Sequence, residues 1–342
     1  MGIRPSCRRD RRGPPMEVFC LDTFLFSLFN GALYGLLLFM LASGLTLIFS
    51  MMGVLNFAHA GFYMLGAYLG FEIGRRTNFY IALAVVPFLV GGLGILIERY
   101  GLRHVHAYGH VGELMFTFGL SYVVQEVVVT IWGRSPLPAT IPPSLNFTLF
   151  SVFGLEYSAY RVLMLFVSLG IFVGMFLLVA RTRLGLILRA AISRPDTLAA
   201  LGHNIQLIFA LVFGGGTALA ALAGILAGNI LGTEPGMAIQ LGSVIFVVIV
   251  VGGLGSLVGT CVAALGIGIL QTLASSYDLS LSMLLASLGI RPEWPAFLVE
   301  LTNTTLSRAA PLVPFLIMVA LLSLRPNRPF GRRLSKATMI SL

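Results

Sequence analysis

The stretch TFLFSLFNGALYGLLLFMLASGLTLIFSMMGVLNFA, residues 23–58, contains no Asp, Glu, Lys or Arg over 36 residues. As one straight helix it would be about 54 Å long, whereas the hydrocarbon core of a bilayer is only about 30 Å thick. A second uncharged run, Met237 to Tyr277, contains Gly252-Gly253-Leu254-Gly255 near its middle. We therefore predict that both runs bend, break or return within the membrane, as two discontinuous helices.

Composition places the chain among the membrane proteins. Of its 342 residues, 57% are hydrophobic and 10% are charged, whereas a soluble domain carries about 25% charged residues. Further apolar stretches mark other spans near residues 57–74, 80–98, 114–132, 159–180, 205–230 and 309–324. We predict an all-α polytopic membrane protein with about 8–10 transmembrane segments in contact with membrane lipid.

The segment RTRLGLILRAAISRPDTLAALG, residues 181–202, is a basic and polar island between two apolar runs of membrane length. Its four arginines indicate a cytoplasmic position, because loops rich in Lys and Arg stay on that side. The turn at residues 193–196 precedes one helical turn that Gly202 closes, which predicts a short surface helix. The net charge of +9 follows from such loops, so nucleic-acid binding is not expected.

The tendency of segments rich in Lys and Arg to stay in the cytoplasm also orients the rest of the chain. Residues 1–15 hold five arginines and three prolines. They form a basic leader that is either cytoplasmic or foreign to the native protein, in which case Met16 is the start. Residues 16–325 are expected to form a single transmembrane domain with a cytoplasmic loop at 181–204, and residues 326–342 a cytoplasmic tail. Both termini are expected in the cytoplasm, because this assignment collects most of the basic residues there.

Glycine pairs at four-residue spacing predict close packing between helices. The pairs are Gly31 and Gly35, Gly66 and Gly70, Gly170 and Gly174, Gly224 and Gly228, and Gly255 and Gly259. This spacing puts both glycines on one helix face and lets two backbones approach closely. Its repetition indicates a compact bundle.

Few polar residues lie within the spans. Asn56 and His59 stand where the first uncharged run ends, and Tyr63 follows. A polar residue inside the membrane indicates function, because burial without a partner costs several kcal/mol. The equally weighted alternative is that Asn56 and His59 satisfy broken backbone at a helix junction. Glu126 lies near the outer interface, where a solvated position is expected.

Catalytic and metal-binding patterns are missing from the sequence. His104, His106 and His110 match no common spacing of metal ligands and are expected to be solvated loop residues. There is no GxSxG and no HExxH, and the single lysine, Lys336, follows no glycine-rich loop. We therefore predict no enzyme activity, no metal and no cofactor. Active transport would need an ion gradient or a separate ATPase docked at a cytoplasmic loop.

Several motifs resemble one family in the same order along the chain. They are GLTLIFSMMGVLNFAHAGFYMLGAY from Gly44 to Tyr68, ERYGLRHVHAYGHVGELMFTFGLSYVVQE from Glu98 to Glu126, LGLILRAAISRPDTLAALGHNI from Leu184 to Ile205, and then FGGGTALAALAGILAG, VVGGLGSLVGT and RPNRPFG. The resemblance as a whole covers roughly residues 22–333. These motifs resemble the permease subunits of branched-chain amino acid ABC importers.

The resemblance implies a type II importer permease in a bacterial inner membrane, paired with a second homologous permease. Two cytoplasmic ATPases and a periplasmic or lipid-anchored substrate-binding protein would complete the importer. It also implies a coupling loop that seats on the ATPases, formed here by Arg189, Ala190, Ala191, Pro195, Asp196, Ala200, Leu201 and Gly202. Discontinuous helices border the path of transporters, so the substrate pathway is expected at Asn56, Phe57, His59, Tyr63, Thr117, Gly252, Gly253 and Gly255.

The substrate and the energy source stay open at this point. Many relatives carry Gly-Glu where this chain has Ala60-Gly61, so urea or short amides are alternatives to branched-chain or related amino acids. A proton-coupled secondary transporter would need a buried carboxylate or histidine pair, yet only His59 is expected to lie deep, and the island would have no role. A membrane-embedded enzyme would need converging polar groups that the spans do not supply.

Overall fold

The computed structural model of the chain describes residues 21–53, 55–138, 140–152, 155–182, 185–187, 190, 200–202, 204–277, 280, 282 and 303–324. Within them the longer helices are α1 (Leu21–Met52), α2 (His59–Arg76), α3 (Phe79–Ile97), α4 (Gly109–Trp132), α5 (Ala159–Arg181), α6 (Ile205–Leu231), α7 (Met237–Gly252), α8 (Leu257–Ser276) and α9 (Val313–Leu324). Short helical turns lie at Glu98–Leu102, Arg103–Val105, His106–Tyr108, Pro143–Leu145, Leu306–Ala309 and Ala310–Leu312. An antiparallel hairpin of β1 (Thr148–Val152) and β2 (Leu155–Ser158) precedes α5.

These helices confirm the prediction of an all-α polytopic membrane protein. Six helical segments in the described chain are long and apolar enough to cross a membrane, and one of them, Phe79–Trp132, extends over 54 residues. The chain reverses inside this segment at Gly109, which has a φ of +76°. A side chain at Gly101 would contact the ring of Phe116, although a straight helix would separate these residues by about 22 Å. α3 and α4 are therefore two antiparallel helices.

The second uncharged run is interrupted as predicted, between the end of α7 and the start of α8. The first run is also interrupted as predicted: α1 is continuous through Met52, and the described residues of the run after Met52 form a non-helical junction before α2. At about 1.5 Å per residue α1 is about 48 Å long. α1 is therefore longer than a hydrocarbon core of about 30 Å, and the interruption follows its end rather than its middle.

Contacts along α1 show that α5 runs parallel to it. Near the start of both helices Arg161 Nη1 donates a hydrogen bond to Asn30 Oδ1 over 3.0 Å. Farther along, the rings of Phe39 and Phe172 lie 5.3 Å apart. The end of the bundle at Met52, where α5 also ends and the island follows, is named the island end. The opposite end, where α1 and α5 begin, is named the far end.

α8 runs antiparallel to α1 along most of its length. Ser27 Oγ donates to Ser276 Oγ over 2.7 Å, and Thr46 Oγ1 lies 3.1 Å from Thr260 Oγ1. Both contacts tie the start of one helix to the end of the other. α8 therefore begins at the island end and finishes at the far end.

The first and last described helices run in the same direction through the bundle. α1 begins at the far end, whereas α9 follows a bridge between Ser280 and Thr305 and runs back along α8, where Ile317 shares a cleft with Val262. Both helices therefore run from the far end towards the island end. The prediction that both termini face the cytoplasm stays a prediction, because it concerns residues before α1 and after α9. The predicted leader 1–15 and tail 326–342 lie outside the described residues.

α1 and α6 form the centre of the bundle. Of their most apolar stretches, 78% and 61% of residues are buried, compared with 11% for α5 and 11% for Leu306–Leu324. A side chain would come closer than 3.0 Å to a neighbouring atom at Gly31, Gly35, Gly66, Gly70, Gly224, Gly228 and Gly259. Gly170 and Gly174 in α5 differ from the prediction, because no described atom lies within 4 Å of a side chain at either.

Candidate functional site

The junction between α1 and α2 returns into the bundle from the island end. α1 ends at Met52, yet His59 at the start of α2 places its Nε2 3.0 Å from the backbone O of Leu41. Leu41 lies about 16 Å before the end of α1. The non-helical chain between the helices therefore reaches back beside α1. Such backbone occurs inside a membrane protein only where protein or a cavity surrounds it.

Asn56 and His59 form hydrogen bonds within this junction, and each side chain also has a nitrogen without a hydrogen-bond partner among the described residues. Asn56 Oδ1 accepts a hydrogen bond from the backbone N of Ala58 over 3.0 Å, and the Asn56 backbone O accepts from His59 N over 3.2 Å. Both side chains are buried. Asn56 Nδ2 and His59 Nδ1 have no partner among the described residues. Asn56 and His59 thus satisfy backbone groups near the helix junction, which is one of the two roles considered from the sequence. This role uses only part of the hydrogen-bonding capacity of each side chain.

Phe57 and Thr117, two further predicted pathway residues, lie in different surroundings. Phe57 is 47% exposed, and its ring centroid lies 6.2 Å from that of Phe118 in α4. Thr117 is buried, and its hydroxyl donates to the backbone O of Leu114 in its own helix over 3.1 Å. The structure thus places Phe57 on a surface next to α4 and leaves Thr117 satisfied within α4.

Tyr63 lies one turn after His59 and borders a cleft. Tyr63 is fully buried, and its hydroxyl has no hydrogen-bond partner among the described residues. The cleft has a volume of about 200 Å³ and is lined by Tyr34, Tyr63, Leu231, Gly232, Glu234, Met237, Gln240 and Leu241. It lies between α1, α2 and the connection from α6 to α7.

Sequence reasoning missed Tyr34, Glu234 and Gln240 as members of this cleft. Glu234 stands in the connection between two apolar runs and resembles an ordinary solvated loop residue there. One signal was available: Glu234 is the only acidic residue in the sequence between Asp196 and Asp278. A lone carboxylate between membrane spans is a candidate for function when the connection is short enough to stay inside the bundle.

The predicted glycines Gly252, Gly253 and Gly255 form the turn between α7 and α8. Gly253 and Gly255 have φ values of +88° and +83°, which favour glycine. A side chain at Gly252 would come within 2.6 Å of the Gly259 backbone, and one at Gly255 would lie 3.4 Å from Ser50 Cβ. Because Ser50 is near the end of α1, this turn lies at the island end, about 13 Å along α1 from the contact that His59 makes.

An ion pair at the island end connects two segments that sequence reasoning left separate. Arg103 Nη2 donates to Glu98 Oε2 over 3.1 Å, and its Nη1 and Nη2 donate to the side-chain and backbone oxygens of Gln206, each over 3.2 Å. Glu98 is 2% exposed. We name these three residues the Arg103 clamp. It ties the turn after α3 to the first turn of α6, directly after the island.

The three loop histidines are exposed to solvent, as predicted, and two of them also lie beside a buried carboxylate. Glu113 at the start of α4 is 1% exposed. His106 Nδ1 contacts its Oε1, and His110 Nδ1 lies 3.6 Å from its Oε2. Within the described residues, no group of three or more His, Cys, Asp or Glu side chains is placed to hold a metal ion. His106 and His110 thus face Glu113 through Nδ1 while their side chains stay 55% and 75% exposed.

Part of the predicted coupling loop is described. Ala190 is helical and partly buried against the core, whereas Ala200 and Leu201 are exposed, Leu201 by 72%. Gly202 has a φ of +83°, the conformation that commonly ends a helix. Arg189, Ala191, Pro195 and Asp196 lie outside the described residues.

The chain is similar in sequence to transport permeases. The family described as "Branched-chain amino acid transport system / permease component" matches residues 27–325. The "High-affinity branched-chain amino acid transport system permease protein BraD" of Pseudomonas aeruginosa is 29% identical over 262 residues, which cover 72% of this chain and 85% of the relative. The corresponding permease protein LivH of Escherichia coli is 28% identical over 270 residues, with coverages of 74% and 87%. A probable LivH permease of Methanocaldococcus jannaschii is 26% identical over 258 residues, with coverages of 72% and 79%.

None of the solved structures matches the chain. The family match begins within α1 and ends just after α9, so it includes both helix junctions, the cleft and the Arg103 clamp. A match of this extent concerns the whole membrane bundle rather than one motif. The chain therefore belongs to the family of permease components of branched-chain amino acid transport systems.

Proposed function

We propose that the chain is a permease subunit of an ATP-binding cassette importer in a bacterial inner membrane, and that it forms the path for branched-chain or related amino acids. The observation that carries this proposal is the family match over residues 27–325. The single lysine, Lys336, adds support for a separate source of ATP hydrolysis, because it follows no phosphate-binding loop.

The path is proposed to pass beside the α1–α2 junction. Asn56 Nδ2, His59 Nδ1 and the Tyr63 hydroxyl support this location, because each is buried and without a partner among the described residues. Irregular backbone in a transporter lies beside a cavity or a substrate path. The other predicted pathway residues are assigned more restricted roles. Phe57 contributes surface next to α4, and Gly253 and Gly255 shape the turn at the island end.

The importer is proposed to contain a second homologous permease, two cytoplasmic ATPases and a periplasmic or lipid-anchored substrate-binding protein. The arginines of the island support a cytoplasmic island end, where the ATPases would dock. The far end then faces the binding protein, and α1 begins on the outer side. Residues 181–204 would act as the coupling loop, since they join α5 to α6 at the island end.

Uptake is expected to depend entirely on ATP hydrolysis by the partner subunits. The measurement is leucine uptake into proteoliposomes that contain the complete importer, with the binding protein outside and ATP inside. Replacing ATP by a non-hydrolysable analogue is expected to abolish uptake. Uptake by the purified chain alone, or uptake driven by an imposed proton gradient without ATP, would contradict the proposal and favour a secondary transporter.

Replacing Ala200 with tryptophan is expected to abolish association with the ATPase pair. Ala200 is exposed on the loop that follows the cytoplasmic end of α5, and a bulky side chain prevents close docking of a short helix. The measurement is the ratio of ATPase to permease after co-purification. Ala84→Trp is the matched control, because Ala84 is an exposed alanine of α3 away from the island. A normal ratio for Ala200→Trp would show that residues 181–204 are only a connector.

A further inference from the structure

The cleft beside Tyr63 lies at the start of a helix that is too short to span the membrane. α7 has 16 residues and is about 24 Å long, whereas the hydrocarbon core is about 30 Å thick. Tyr34, which lines the cleft, stands about one turn inward from Asn30, and Asn30 contacts the start of α5 at the far end. α7 therefore begins inside the bundle, and the cleft lies at this inward start.

Two polar side chains of the cleft have hydrogen-bonding capacity left over. Tyr63 is 0% exposed, and its hydroxyl has no partner among the described residues. Glu234 Oε1 accepts one hydrogen bond from Gln240 Nε2 over 3.0 Å. Across the described part of the chain, Glu234 forms no ion pair. Glu234 is partly buried, whereas a fully buried polar group of a native protein is normally satisfied, so the Tyr63 hydroxyl points to a ligand.

The chemistry of the cleft fits an ammonium group on an aliphatic ligand. An ammonium group has three donors and no acceptor, and a carboxylate and a phenol oxygen both accept. Leu231, Met237 and Leu241 supply an apolar wall beside them. We propose that Glu234 and Tyr63 bind the ammonium group of an aliphatic amino acid on its way through the permease, while this wall contacts its side chain.

This inference rests on the proposed function and narrows its substrate class. Urea and short amides carry no positive charge, so their N–H groups can hydrogen-bond to the Glu234 carboxylate but cannot form an ion pair with it. An aliphatic amino acid gains this ion pair and also fills the apolar part of the cleft. The site therefore selects amino acids over amides.

Glu234 also stands where negative charge stabilises α7. Its backbone O accepts a hydrogen bond from Met237 N over 3.1 Å, and acidic groups near a helix start interact favourably with the helix dipole. A purely structural role predicts that loss of the charge lowers the stability of the protein and leaves its transport properties unchanged. Tyr63→Phe tests the binding role of the cleft without affecting stability, because a hydroxyl without a partner contributes no hydrogen bond to the folded chain.

The test is leucine uptake by the complete importer in proteoliposomes at a saturating concentration of binding protein. Glu234→Gln is expected to lower the uptake rate about tenfold or more, and Glu234→Asp to retain more uptake than Glu234→Gln. Tyr63→Phe is expected to lower uptake several-fold while the melting temperature of the permease is unchanged. Glu156→Gln is the matched control, because exposed Glu156 also accepts a hydrogen bond from a neutral donor, Thr148 Oγ1, over 3.3 Å.

Normal leucine uptake by Glu234→Gln would overturn the site. A fall in uptake by Glu234→Gln that matches a loss of folded protein, together with normal uptake by Tyr63→Phe, would also overturn it, because the carboxylate would then be structural. Failure of the proposed function gives a different result: the wild-type importer would carry urea or acetamide and no leucine. Uptake measured with the wild-type importer alone would reveal that result, before any variant is compared.

Discussion

Replacing Gly66 with leucine is expected to prevent assembly of the bundle. A side chain at Gly66 would meet the backbone of Ala221 in α6, whose carbonyl carbon lies only 2.8 Å away, and a helix backbone cannot rotate aside. Overpacking a core costs about 1–3 kcal/mol when side chains can adjust, so a collision with backbone belongs at the top of this range or above. We expect about a tenfold or greater loss of monodisperse permease after detergent extraction, measured by size-exclusion chromatography.

Gly170→Leu is the matched control for this substitution. Gly170 repeats the same glycine spacing with Gly174, yet no described atom lies within 4 Å of a side chain at either position. The variant is therefore expected to be recovered in the wild-type amount. If Gly66→Leu is recovered equally well, or if both variants fall together, the close contact between α2 and α6 does not hold the bundle together.

Replacing Arg103 with alanine is expected to lower both the stability of the permease and its coupling to ATP hydrolysis. Arg103 is the ion-pair partner of Glu98, which is 2% exposed. Breaking a buried ion pair from one side costs about 3–5 kcal/mol. We expect a loss of stability at the lower end of this range, because the Arg103 side chain is 29% exposed. Arg103 also holds Gln206 in the first turn of α6, so substrate-stimulated ATP hydrolysis is expected to fall.

The measurements are the melting temperature of the purified permease and ATP hydrolysis by the complete importer. Arg75→Ala is the matched control: its pair with Glu72 has the arginine 63% exposed, and exposed pairs contribute about 0–1 kcal/mol. The double variant Glu98→Gln with Arg103→Ala removes the buried charge and is expected to recover most of the stability but not the coupling. If Arg103→Ala behaves like Arg75→Ala in both measurements, the Arg103 clamp has no such role.

Local features of the sequence were sufficient to predict much of this architecture. The scarcity of charge predicts membrane helices, because a charged side chain is costly in hydrocarbon. The cluster of glycines after α7 predicts a break, and two of them do have a positive φ. His59 was predicted to lie deep, and it is buried, as is Asn56. Each of these predictions depends on the preferences of a few neighbouring residues.

The course of α1 could not be predicted in the same way. A run without charges shows that a segment is apolar, but the depth at which a helix ends depends on what surrounds it. α1 extends through Met52 because α8 packs along it, with Thr46 beside Thr260 and Ser27 beside Ser276. The number of crossings is difficult to predict for a related reason. It is counted from apolar length, and a short helix such as α7, with 16 residues, does not fit that count.

The sequence by itself determined that the chain is an all-α membrane protein, which family it resembles, and that it has no Walker-type phosphate loop, because composition and short motifs carry this information. Only the tertiary structure decided which polar side chains meet. It joins Arg103 to Gln206 across 103 positions and places Glu234 in one cleft with Tyr34 and Tyr63. These residues come together because helices far apart in sequence pack at glycine contacts, and the spacing of residues along one helix cannot specify what faces it from another.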